Sequence, residues 1–180
     1  MQDKVFSINS LNVFTKEQIS TSLKKTTNNI NQLVIVCIGS DIILGDSLGP
    51  IVGTMLKQKQ VNAYLYGTLS APITAKDVPV VRKQIKILHP NATILVVDAA
   101  VGNSDDVGLI KIYNKGLYPG KGVNKNLGII GDVSIMGIVQ SKSIRNYNLY
   151  NLTRLGLVYR MAEQISEGVS NFIKQTREKN

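Results

Sequence analysis

Two short segments hold the residues best placed for chemistry. The first reads Cys37-Ile38-Gly39-Ser40-Asp41-Ile42-Ile43-Leu44-Gly45-Asp46-Ser47-Leu48-Gly49-Pro50, and the second Val96-Val97-Asp98-Ala99-Ala100-Val101-Gly102. In each, an acidic residue falls at or just past the end of an apolar run with the composition of a buried strand. Open α/β sheets bind ligands outside the carboxyl ends of their strands, so if these two strands are neighbours, Asp46 and Asp98 face one cleft. Two close carboxylates split their protonation states, one able to act as base and the other as acid. That suits activation of a water molecule for amide hydrolysis. Aspartates also suit a metal ion, and residue type alone leaves both chemistries open.

The local chain around each aspartate can be read further. Pro50 has no N–H and fits the first turn of a helix, which makes Ser47 a natural N-cap. Asp46 then falls just outside the helix, where the N-terminal dipole favours its ionised form. The plainer alternative is that Asp46 is itself the cap. Asp98 follows five apolar residues directly, so it needs partners or a functional cleft to offset desolvation. Its plainer alternative is a turn at a strand end.

Composition removes several rivals. With one Cys and one His, the chain can form neither an intramolecular disulfide nor a Cys/His zinc site. A Ser or Cys nucleophile would have to use His89, which stands before Pro90 and reads as a solvated loop residue. Cys37, in mid-strand, reads as a small buried hydrophobe suited to a reducing compartment. The N-terminus lacks the pattern of a secretion signal. The longest apolar run, residues 33–38, is far short of the roughly 20 residues a membrane helix needs. A cytoplasmic protein with no membrane association is expected.

Lys and Arg number 21 against 12 Asp and Glu, a net charge of +9, which raises the question of nucleic acid. The densest basic stretch holds Lys111, Lys115, Lys121, Lys125, Lys142 and Arg145, with Tyr113, Tyr118 and Tyr147 interleaved. Elsewhere, Lys24-Lys25, Lys57/Lys59 and Lys83/Lys86 are spread along expected helices. A Lys- and Asn-rich solvated surface is the plainer reading, and weak nucleic-acid contact the alternative.

Weaker site candidates remain. Asp41 is placed to tie down the loop after the first apolar strand. Asp132, in Gly131-Asp132-Val133-Ser134, is a candidate for the same cleft. Gly120-Lys121-Gly122 is not a P-loop, but Gly120 and Gly122 can form a backbone nest for an anion or a peptide carboxylate. No motif calls for a cofactor, and no metal-ligand set is assigned.

Several elements must position these residues. Thr15 and Gln18 form a capping-box pattern opening a helix, after an irregular stretch over 1–14. Residues 33–38 and 93–97 are apolar throughout, as in strands buried on both faces. Helices are expected over 47–58, 80–88 and 149–176, and further strands over 63–66, 109–113 and 133–139. The last helix shows Leu152, Leu155, Tyr159, Ala162, Ile165, Val169 and Phe172 at steps of three and four. Residues 116–131 read as a long loop. The alternation predicts a three-layer αβα sandwich, one α/β domain over 1–180.

The first segment, continued through Ile51-Val52-Gly53-Thr54, resembles the YyaC-type family of spore-protease-like sporulation proteins. So do Val97-Asp98-Ala99-Ala100-Val101-Gly102, Pro119-Gly120-Lys121-Gly122-Val123 and Gly131-Asp132-Val133-Ser134-Ile135-Met136-Gly137. The likeness covers roughly 33–140 and keeps the motif order. That family is similar to the spore germination protease, an unusual aspartic peptidase that degrades the small acid-soluble proteins of spores. More remotely it is similar to the hydrogenase-maturation endopeptidases. The resemblance implies a phosphorylase/hydrolase-like fold, a protein or peptide substrate, and a cytoplasmic setting such as the developing spore. Carried over by motif, the protease's two aspartates fall on Asp46 and Asp98. The maturation enzymes also use a later His to hold nickel; here His89 precedes Asp98, so that pattern is not met. Three functions follow: a two-aspartate peptidase, an inactive relative binding a protein or DNA partner, or a metal-dependent hydrolase using the same carboxylates.

Overall fold

The two continuous apolar runs form the middle of a six-stranded sheet. In the computed structural model, which describes residues 5–27, 30–119, 128–142 and 153–177, the strands are β1 (Val5–Asn9), β2 (Leu33–Cys37), β3 (Tyr64–Tyr66), β4 (Thr93–Gly102), β5 (Leu109–Tyr113) and β6 (Val133–Ser141). The helices are α1 (Thr15–Thr26), α2 (Leu48–Gln58), α3 (Val78–Leu88) and α4 (Leu155–Arg177). The strand order is β1-β5-β6-β4-β2-β3. The strands β3, β2, β4 and β6 are mutually parallel, and β5 runs antiparallel to both its neighbours.

Every residue of β2 is buried, because both faces of the sheet are covered there. Leu33, Ile35 and Cys37 pack with residues of α1, α2 and α4. Val34, Val36 and Ile38 pack with Val78, Val81 and Ile85 of α3. The chain is therefore a three-layer α/β sandwich, as its alternation predicted. Among the described residues no helix is long and apolar enough to cross a membrane.

The path of the chain creates the feature that matters for function. From β2 it passes through α2 on one face to β3. It returns through α3 on the other face to β4, on the far side of β2. Right-handed crossovers in opposite directions place their helices on opposite faces. The reversal falls between β2 and β4, which makes that boundary the topological switch point.

Four expectations need correction. Residues 5–9 are not irregular: they form β1, an edge strand in which Ile8 alone is buried, too little to create a readable period. Thr15 is the first helical residue rather than the cap. Its hydroxyl donates to the carbonyls of Asn9 (2.8 Å) and Asn12 (2.6 Å), while Gln18 N–H bonds the Phe14 carbonyl, so no capping box forms. In α4, Leu155 and Tyr159 are exposed, and the buried stripe runs through Val158, Met161, Ala162, Ile165, Val169 and Phe172; residues 149–152 lie outside the described part. Finally, β4 continues five residues past Val97, so Asp98 lies within a strand rather than at its end.

Candidate active site

The loop from β2 to α2 is built around backbone contacts that need glycine. Gly39 has φ +146°, and a Cβ there would lie 2.0 Å from the Asp46 carbonyl oxygen. Ser40 N–H closes the loop onto that same carbonyl at 3.1 Å. Leu44–Asp46 form a 3-10 turn, in which Asp46 N–H donates to Ile43 O at 2.9 Å. Ser47 occupies the N-cap position of α2, as expected, but its side chain does not cap. It turns back and donates to Leu44 O at 2.8 Å. Gly49 lets the start of α2 sit against the end of β2, since a Cβ would fall 2.0 Å from Ile38 O. These contacts fix Asp46 beside the strand ends.

Asp98 reaches the same place by register. The β2–β4 ladder ends at Cys37↔Val97, while the β4–β6 ladder continues from Leu95↔Val133 to Gly102↔Ser141. Asp98 is thus the first β4 residue beyond its neighbour's end, where the switch point opens a crevice. Strand alternation puts it on the same face as Val96 and Val34. It is only 8% exposed, and its Oδ1 accepts the Ala99 N–H at 2.8 Å.

The electrostatics join the two aspartates. Burial raises the pKa of Asp46 above the ordinary carboxylate value, with Ser40 N–H opposing. Asp98 is raised well above the ordinary value, first by burial and then by the charge of Asp46, with Ala99 N–H opposing. Neighbouring carboxylates oppose double ionisation, and here that effect falls on Asp98. Of the two, Asp98 carries the larger upward shift.

Sequence reasoning missed two polar neighbours of this loop. A shift in register between Ala100 and Val101 brings Gln140 opposite Val101. A Cβ on Gly45 would lie 3.1 Å from Thr153 Oγ1 and 3.7 Å from Gln140 Oε1. Thr153 is buried and donates to Gln140 Oε1 at a long 3.5 Å. Neither residue belongs to a motif; a bulge and a chain return bring them together. On the other side, the register Asp98↔Met136↔Lys111 sets a lysine two strands away, and its ammonium pairs with Asp106 at 3.1 Å.

The other candidates do not converge here. Asp41 is exposed on the same loop. Asp132 sits at the opposite end of β4: its Oδ2 accepts Ile94 N–H at 2.8 Å, and its own N–H donates to Ile94 O at 2.8 Å. Ile94 precedes Asp98 by four residues, about 13 Å of strand. Asp132 therefore pins a strand start and does not reach the cleft. Gly120, Lys121 and Gly122 lie outside the described residues, as do Lys125, Arg145 and Tyr147. His89 is not a solvated loop residue but buried, with Nε2 3.0 Å from the Tyr66 hydroxyl and its ring 4.1 Å from that of Tyr64. It too lies before the start of β4, away from Asp98. Cys37 is fully buried, which raises its thiol pKa and keeps it protonated.

The arrangement can polarise water between a base and an acid. A metal would find two carboxylates here. Among the described residues, no group of three or more His, Cys, Asp or Glu could hold an ion.

Comparison with known proteins agrees with the motif reading at family level. Residues 7–168 match the sequence profile of the family described as "Protein of unknown function (DUF1256)". The chain is 42% identical over 153 residues to "Uncharacterized protein YyaC" of Bacillus subtilis (strain 168), covering 84% of this chain and 74% of that protein. Asp46, with the glycine-built loop that holds it, and Asp98 on β4 fall inside the span matched by that profile, and the chain belongs to the DUF1256 family.

Proposed function

We propose that this protein is a peptidase-like hydrolase whose site is the Asp46–Asp98 pair. The observation that carries the reading is the buried Asp98, its carboxyl held toward the neutral form by burial and by Asp46. In this mechanism Asp46 is the ionised member. Its carboxylate takes a proton from a water molecule as the water oxygen bonds to the carbonyl carbon of a peptide link. Asp98 gives its proton to the amide nitrogen as the C–N bond breaks, so the products are a carboxylic acid and an amine. Asp46 then passes its proton to Asp98, which restores the starting pair.

The motif likeness to spore proteases supports a sporulation setting in the cytoplasm, with small acid-soluble spore proteins or another sporulation protein as substrate. Asp46→Asn and Asp98→Asn are each expected to abolish cleavage of a spore-protein substrate while the melting temperature stays within a few degrees of wild type. Unchanged cleavage in both variants overturns the assignment. A metal-dependent version predicts loss of activity with a chelator, and full activity in its presence removes that version.

A further inference from the structure

We infer that the polypeptide substrate is taken as an added β-strand along the free edge of β4, from Ala99 to Gly102. This rests on the hydrolase reading above and names how that site recognises its substrate.

The ladders show where the edge is bare. The last bond between β2 and β4 runs from Ile38 N–H to Val97 O at 2.8 Å. At Gly39, whose N–H bonds Ile73 O at 2.9 Å, the chain leaves the ladder on the side away from β4, and its Leu44–Asp46 turn then comes back against β4 without pairing to it as a strand. Among the described residues, no strand or bridge pairs with the β2-facing edge of β4 beyond this point. Both polar groups of a strand residue point the same way, and they alternate along the chain. Val97 faces β2, so Ala99 faces that side too. Its N–H is held by the side chain of Asp98 at 2.8 Å, a local substitute for a ladder partner.

Most bare edges lie at the margins of a sheet. This one lies in its middle, next to the candidate acid and base. Alternating donors and acceptors at strand spacing are matched by an extended polypeptide backbone, and by neither a nucleotide nor a small anion. The segments bordering the edge carry exposed apolar side chains: Val101 on β4 (48% exposed), and Ile42 (88%) and Ile43 (54%) on the loop leaving β2. An extended peptide presents side chains alternately to either side, where such groups can meet them. A peptide carbonyl that accepts Ala99 N–H would take the place of Asp98 Oδ1. That releases the Asp98 carboxyl toward the peptide bond beside it.

The test uses the full chain carrying Asp46→Asn, so that nothing is cleaved. The probe is a fluorescent synthetic peptide of alternating Val and Thr with lysines at both ends. Its twin is N-methylated at alternate residues, with the same side chains but no capacity to pair as a strand. The unmodified peptide is expected to bind saturably, and the twin about tenfold or more weakly, as lost backbone hydrogen bonds require. The Ala99 amide should gain hydrogen-exchange protection in the complex. Ile42→Ser, at an exposed position, should weaken binding several-fold without moving the melting temperature. Equal binding of the two peptides, no binding, or unchanged Ala99 protection overturns the inference. Strand-like binding with no hydrolysis by the wild-type chain leaves the inference standing and overturns the hydrolase reading. Hydrolysis by wild type together with equal binding of the twins does the reverse.

Discussion

Asp98 combines the groups the proposed chemistry needs with a cost in stability. Its folded pKa lies well above the ordinary 3.8, with burial the main cause and Asp46 the second. Between the ordinary value and the raised one, the folded state binds more protons than the unfolded state. Stability therefore falls as pH rises through that window, and the loss is complete above it. Asp98→Asn keeps an oxygen for Ala99 N–H and removes the titration. Thermal melts should show the variant above wild type at alkaline pH and converging with it at pH values below 3.8. The expected gain is a few degrees, since about 1 kcal/mol moves a chain of this length by roughly 2–4 °C. A variant no more stable than wild type at any pH would contradict the burial argument. The same pair predicts a bell-shaped pH–rate profile, falling on the acid side as Asp46 takes a proton and on the alkaline side as Asp98 loses one. Asp132 makes the contrast. Its bond to Ile94 N–H is structural, so Asp132→Ala should lower stability by about 1 kcal/mol and leave hydrolysis unchanged.

At the scale of elements, the glycines of the first motif serve the docking of α2. A Cβ on Gly53 would lie 1.8 Å from Gly67 O, and one on Gly67 1.9 Å from Cys37 O. Helix and strand ends are thus stacked backbone on backbone, which brings Asp46 to the crevice. Gly53→Ala should cost about 1–3 kcal/mol or more, because backbone must move to admit the methyl group. Gly156 on α4 has nothing within 4 Å of a built Cβ, so Gly156→Ala should be neutral or stabilising by its helix propensity, by up to about 1 kcal/mol. Denaturation of the two variants side by side separates close packing from general intolerance of alanine. The β-branched and aliphatic runs of β2 and β4 do the complementary work: covered on both faces, they hold the carbonyl ends of the two strands rigidly beside α2.

For the whole molecule, the +9 charge is expected to solvate the surface rather than to hold nucleic acid. Lys59 pairs with Glu167 and Lys111 with Asp106, and these pairs, being neutral, leave the surplus of nine cations unchanged. Binding to duplex DNA, measured against salt, is expected to be weak and lost by physiological ionic strength. Tight binding that persists there would instead favour the DNA-binding alternative.

The sequence by itself determined the sandwich, because runs such as 33–38 are apolar at every position and can be satisfied only by a sheet covered on both sides. It also singled out the two aspartates as candidates, because a carboxylate next to such a run must be answered by a cleft or a partner. It could not determine their pairing. That depends on β3 and α3 carrying the chain around β2 and back to β4, and on β2 stopping at Cys37 while β4 runs on to Gly102. Asp132 shows the converse, an acidic residue in a matching motif sent to the wrong end of the strand by register alone. Residue type is local, whereas proximity comes from the order of strands and the length of their ladders, and only the tertiary structure decides those.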